Sequence, residues 1–124
     1  MLANSTITAM VGTARPDAAK DFYKDVLGLS LQSEDNFAAV FAGKNARIRV
    51  SRVPAVVPAP YAVVAFNVES IESAIDALAA KGVAFARYPV FQQDARGIWT
   101  SPDGTKVAWF HDPDLNLLSL VEYA

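Results

Sequence analysis

The sequence predicts an α+β fold made of two tandem βαβββ modules whose uncovered sheet faces form a concave ligand cavity. Two observations carry this. A strand-then-helix pattern followed by short strands occurs twice, and a proline-rich stretch, PAVVPAP at 54–60, separates the copies. The apolar helix stripes are offset by 52 residues, from Ala19 to Ile71, and the glycines that end them by 54, from Gly28 to Gly82.

In the first copy, STITAMV at 5–11 alternates, with Ile7, Ala9 and Val11 on one side and Thr6, Thr8 and Met10 on the other. That is the period of a half-buried strand. Pro16 suits the first turn of a helix, because its missing N–H has no intrahelical partner there anyway. Ala19, Phe22, Tyr23 and Val26 follow at helical spacing until Gly28. LSLQSED, FAAVFAG and ARIRVSRV then read as three strands, parted by the turn residues Asp35-Asn36 and Gly43-Lys44-Asn45.

Three prolines in the next segment lack the N–H that a sheet ladder needs, so 54–60 is predicted to be an extended linker between module one, 1–53, and module two, 61–124. The strand YAVVAFNV places Ala62, Val64, Phe66 and Val68 on one face. Ser70 then caps a helix whose stripe is Ile71, Ala74, Ile75 and Leu78, with Gly82 as its stop. VAFARYPV, TKVAWFH and NLLSLVEY are the remaining predicted strands, the last two joined by the Asp112-Pro113-Asp114 turn. With each helix on one face of its sheet, the opposite faces carry Thr6, Thr8 and Met10; Arg47 and Arg49; Tyr61, Val63, Ala65 and Asn67; Trp109 and His111; and Leu117, Ser119 and Val121. Such a mixed set is expected of a ligand cavity rather than a dry core.

Composition narrows the function. At 124 residues the expectation is one domain with an ordinary core, and the absence of cysteine excludes disulfides, thiolate catalysis and cysteine-held metal sites. Eleven basic against 13 acidic residues leave no basic stripe for a phosphate backbone, so nucleic acid is not an expected partner. No segment approaches the ~18 apolar residues of a membrane span. MLANSTITAM does not read as a signal peptide, and a cytoplasmic protein is the expectation. A 52% hydrophobic content is high for a small monomer and leaves apolar surface for a pocket or a subunit interface. No phosphate-binding loop, dinucleotide fingerprint, nucleophile elbow or zinc-protease helix occurs.

Three stretches, FYKDVLGL (22–29), AFNVESIESAIDALAAKGVAF (65–85) and GIWTSPDGTKVAWFHDPDLNLLSLVEY (97–123), in this order along nearly the whole chain, resemble the vicinal oxygen chelate superfamily. That group holds glyoxalase I, extradiol dioxygenases, fosfomycin-resistance enzymes and bleomycin-resistance-type binding proteins. The resemblance implies paired βαβββ modules that form a curved mixed sheet around a central cavity, and a homodimer. It also implies, for the enzymes, a divalent metal held by four His, Glu or Gln side chains, one from the first and last strand of each module. Carried over residue by residue, those positions fall on Thr8 and Arg49 in module one and on Val63 and Ser119 in module two. A cation and an aliphatic side chain are not metal donors, so no metal and no cofactor is expected. Leu115 stands where the family has glycine in the last hairpin, which predicts a different turn type, since leucine tolerates positive φ poorly.

His111, the only histidine, lies outside those four positions. It is read either as a hairpin residue or, from its shared parity with Trp109, as a hydrogen-bond donor to ligand. Asp112 and Asp114 are read as turn formers rather than as an acid/base pair. Arg47 and Arg49 share a face and are either solvated or a guanidinium pair that holds a carboxylate or phosphate. Trp99, Trp109, Phe91, Tyr61 and Phe37 offer walls for a planar ligand if they are not core, with Gln92 and Gln93 as polar contacts.

These readings converge on a metal-independent binding protein of the glyoxalase/bleomycin-resistance type. It would sequester a small aromatic or anionic compound, as in antibiotic resistance, through Thr8, Arg47, Arg49, Val63, Trp99, Trp109, His111 and Ser119. The alternative is a glyoxalase-, lyase- or dioxygenase-like enzyme, for which no catalytic residue is assigned.

Overall fold

The computed structural model describes residues 1–124 and contains two four-stranded mixed sheets. The chain divides into two units, Met1–Val57 and Pro58–Ala124, each with one sheet and its helix.

In the first unit the strands β1 (Thr8–Thr13), β2 (Ser30–Glu34), β3 (Ala38–Ala42) and β4 (Arg47–Arg52) lie in the order β1-β4-β3-β2. The β1–β4 pair is parallel and the others antiparallel. A parallel pair needs a crossover, and helix α1 (Pro16–Asp21) supplies it. Pro16 opens this helix, as predicted, with Asp17 in its first turn facing the positive end of the dipole. The helix then widens into a π-helical turn, Phe22–Val26, where the Leu27 N–H reaches back to the Phe22 carbonyl at 2.9 Å. Gly28, at φ 75°, ends it. Tyr23 in that turn is fully buried, with its ring 5.7 Å from that of Phe41, beside the buried Val11, Ile48 and Val50.

Two strand starts differ from the sequence reading, since YAVVAFNV joins the sheet as a strand only from Val64 and the first strand is shortened in the same way. The first strand starts at Thr8 rather than at residue 5, and Ile7 is 81% exposed instead of core-facing. Thr8 pairs with Arg47, the first residue of β4, so residues before Thr8 have no neighbouring strand to bond.

In the second unit β5 (Val64–Asn67), β6 (Trp99–Thr100), β7 (Lys106–His111) and β8 (Leu117–Glu122) lie in the order β5-β8-β7-β6, with β5–β8 again parallel. Helix α2 (Ile71–Ala80) makes the crossover and has both expected ends. The Ser70 hydroxyl accepts the Ser73 N–H at 3.3 Å, and the Glu122 carboxylate on β8 accepts the Ile71 N–H at 2.9 Å. At the other end Gly82, at φ 89°, lets the Val83 N–H reach the Leu78 carbonyl at 3.1 Å and its own N–H reach that of Ala79 at 2.9 Å. These paired bonds make a Schellman motif. Ile71, Ile75, Phe110, Leu118 and Leu120 form the buried core on the face that α2 covers.

The predicted strand VAFARYPV (83–90) is not a strand. It is irregular, and a two-residue β6 at Trp99–Thr100 edges the sheet instead. Pro89 cannot donate to a ladder, and the segment keeps one backbone bond to β7, from the Ala86 N–H to the Trp109 carbonyl at 2.8 Å. Two more of its polar groups are met by a side chain. The Gln93 amide accepts the Tyr88 N–H at 2.8 Å and donates to the Ala86 carbonyl at 2.9 Å, the two bonds an adjacent antiparallel strand would have made.

Candidate functional site

Strand register sorts the candidate residues by face, because paired residues point to the same side of a sheet. In the second sheet Trp109 pairs with Ser119, His111 with Leu117 and Trp99 with Val107. The Val63 N–H donates to the Leu117 carbonyl at 2.9 Å, which continues the β5 register by one residue. Val63, Trp99, Trp109, His111 and Ser119 therefore share the face opposite Leu118, Leu120 and Glu122, which α2 covers. In the first sheet Thr8 pairs with Arg47 and Met10 with Arg49, so Thr8, Arg47 and Arg49 likewise share one face.

The second sheet's open face carries a continuous aromatic surface. Phe91 stacks on Trp109 with centroids 5.0 Å apart and planes 18° apart, and Trp99 lies 5.0 Å from Phe91 and 6.4 Å from Trp109. Tyr88 closes the group edge-on to Trp109 at 5.5 Å. Offset stacks and edge contacts of this kind suit the ring quadrupoles and leave ring surface for a further planar partner. Both tryptophans are half-buried and Phe91 is 37% exposed, so the surface is walled but reachable. Tyr88 was not among the predicted walls, because its stretch reads as a strand. Phe37 and Tyr61, which were, stand 73% and 66% exposed.

Gln93, expected to contact ligand, is instead consumed by the fold. Besides Tyr88 and Ala86 it donates to the Gly97 carbonyl at 2.8 Å, which uses both amide hydrogens. Ser119 is 3% exposed, with its hydroxyl 3.4 Å from the Val64 carbonyl. His111 is exposed at the end of β7.

The turn after His111 explains the two aspartates beside it. The buried Asp112 carboxylate accepts the Asp114 and Asn116 N–H groups at 2.9 Å each, and its other oxygen accepts the Asn116 amide at 2.9 Å. Leu115 does take positive φ, at 67°, contrary to the expectation of another turn type. Asp112 and Asn116 bracket it tightly enough to hold leucine in a conformation that costs ~1–2 kcal/mol.

On the first sheet Arg47 is exposed, Arg49 is half-buried, and neither pairs with a carboxylate. The Asp35 carboxyl is held below the ordinary range by the Phe37 and Ala38 N–H groups, at 2.8 and 2.9 Å, and to a lesser degree by the charges of Arg49 and Arg52.

Strand register relates the four positions onto which the resemblance carries the metal ligands. Thr8 and Arg49 are staggered by two residues across β1–β4, and Val63 and Ser119 by the same two across β5–β8. Equivalent places in the two sheets thus hold a hydroxyl and a guanidinium, and a branched alkyl group and a buried hydroxyl. That donor set does not fit a divalent cation, and nowhere do three or more His, Cys, Asp or Glu side chains gather to hold one. No helix is long and apolar enough to cross a membrane.

Comparison with known proteins agrees with the fold. The profile described as Glyoxalase/Bleomycin resistance protein/Dioxygenase superfamily matches residues 7–120. No curated protein matches the chain in sequence. Among solved structures, a lactoylglutathione lyase from Agrobacterium tumefaciens has a TM-score of 0.74 at 15% identity, over 96% of this chain and 93% of that one. A member of the Glyoxalase/bleomycin resistance protein/dioxygenase superfamily from Sphaerobacter thermophilus DSM 20745 has a TM-score of 0.72 at 20% identity, over 98% and 99%. A glyoxalase/bleomycin resistance protein/dioxygenase from Nocardioides scores 0.72 at 19% identity, over 96% and 83%. At such identities the likeness is one of fold.

Proposed function

The chain belongs to the Glyoxalase/Bleomycin resistance protein/Dioxygenase superfamily, and on that premise we propose that it binds a small planar organic compound without a resident metal and sequesters it. The observation that carries this reading is the pairing of a misfit with a fit. Thr8, Arg49, Val63 and Ser119, the positions onto which the resemblance carries the metal ligands, offer no fitting donor set, while Trp99, Trp109, Phe91 and Tyr88 assemble a stacking surface on the same face as Val63 and Ser119. The aromatic rings supply area and orientation, and His111, on the same face, supplies a polar contact. Sequestration needs affinity and no positioned base, which agrees with a site whose Asp112 is spent on a turn. Homodimerisation in the cytoplasm belongs to the same reading, since Met10, Phe37 and Tyr61 leave large apolar side chains exposed.

The test is elemental analysis joined to ligand screening. Untagged protein is dialysed against nickel, zinc, manganese and iron, then against plain buffer, and planar aromatic compounds are screened by thermal shift. The expected result is no retained metal and a compound that stabilises the protein, by about 2.7 kcal/mol at a hundred times its Kd, with the effect lost in Trp109→Ala. About one tightly held metal per chain, with turnover of methylglyoxal–glutathione hemithioacetal or a catechol, would overturn the proposal in favour of a glyoxalase- or dioxygenase-like enzyme.

A further inference from the structure

We infer that a basic hollow at the starting end of β1 and β4 binds the phosphate group of a small phosphate monoester. The inference rests on the reading of this chain as a small-molecule binder, but it concerns residues of the first unit alone.

The hollow, about 240 Å³, lies where the chain enters β1 and where the turn between β3 and β4 meets it. Thr6, Ile7, Lys44, Asn45 and Arg47 line it, together with Ala42, Gly43 and Ala46. The lining contains two cations, a hydroxyl and a primary amide, and no carboxylate. Neither Lys44 nor Arg47 is neutralised by an ion pair elsewhere.

A dianionic phosphate monoester matches this set in charge and in hydrogen bonding. Two positive groups balance its two negative charges, and the planar guanidinium of Arg47 offers a two-pronged contact to a pair of phosphate oxygens. The Lys44 ammonium, the Thr6 hydroxyl and the Asn45 amide are the other donors available. A carboxylate would leave one cation uncompensated. The volume sets the size of the occupant, because it exceeds the need of a bare phosphate yet falls short of the ~300–1,000 Å³ usual for drug-sized ligands. Ile7, 81% exposed at the rim, and the two alanines offer apolar contact to a short organic substituent.

The experiment is an amide-resolved NMR titration of the full chain with phenyl phosphate and, separately, with phenol, at constant ionic strength. Phenyl phosphate is expected to move the Thr6, Gly43, Lys44, Asn45 and Arg47 signals saturably, and phenol to leave them still. Arg47→Gln and Lys44→Gln, both at exposed positions where folding is not at stake, should each weaken binding about tenfold. Lys81→Gln, which removes an exposed cation that does not line the hollow, should leave it unchanged. The inference is overturned if those signals do not saturate, if neither variant weakens binding, or if all basic residues shift alike, as simple charge screening would produce. Saturable shifts confined to Trp99 and Trp109 would overturn it while leaving the proposed function standing. The reverse pattern would support the hollow and count against the aromatic surface.

Discussion

Replacing Gln93 with methionine should unlatch the segment between α2 and β6 while leaving the sheets in place. The substitution keeps side-chain volume and removes three hydrogen bonds, to the Tyr88 N–H and to the Ala86 and Gly97 carbonyls. At ~0.5–1.5 kcal/mol each, and with water replacing part of the loss at a half-buried site, the segment should lose ~2–3 kcal/mol of local stability. The stack of Phe91 on Trp109 contributes only ~0.5–1.5 kcal/mol beyond its burial, so it does not hold the segment by itself. The readout is hydrogen exchange at the Ala86 amide, whose own acceptor, the Trp109 carbonyl, the substitution does not touch. Its protection should fall by about 30- to 150-fold, at a factor of ten per ~1.4 kcal/mol. Tryptophan fluorescence should change with it as Phe91 leaves Trp109, while exchange in β8 stays as before. A fall of less than about threefold at Ala86, or equal losses at Ala86 and in β8, would refute the view that this one amide stands in for a missing strand.

Three further outcomes are expected. Leu115→Gly should raise stability to urea by ~0.5–1 kcal/mol, because glycine accepts φ 67° without the left-handed penalty, less its larger entropy when unfolded; Leu115→Val should lower it. Asp112→Ala strips the turn of three bonds to a buried carboxylate and should cost ~3 kcal/mol in the same assay. The Asp35 carboxyl should titrate below the ~3.9 of a free aspartate when followed by carbon NMR. Since its folded pKa is the lower one, its contribution is fully present above the ordinary value and is lost as pH falls through the folded one. Asp35→Asn should accordingly flatten the acid side of the stability–pH curve.

By itself the sequence determined what depends on neighbours along the chain and on which face of an element is buried. The stripes that begin at Ala19 and Ile71, the Ser70 cap, the glycine stops at Gly28 and Gly82, and the parity that puts Trp109, His111 and Ser119 on one face are all local facts, written in spacing and φ preference. The order of three motifs along the chain sufficed for the superfamily. Tertiary structure alone decided whether an apolar alternation finds a strand to bond. VAFARYPV has the right period but meets a glutamine side chain in place of a ladder, and Ile7 has no strand beside it. It also decided that Tyr88 joins the tryptophans, that Leu115 is forced into positive φ by the Asp112–Asn116 bracket, and that Arg47 is left without a carboxylate. The physical reason is common to these cases. Periodicity records which way a side chain points, whereas a hydrogen-bond partner, a ring neighbour or a counter-charge is supplied by residues distant along the chain, and only folding brings them within reach.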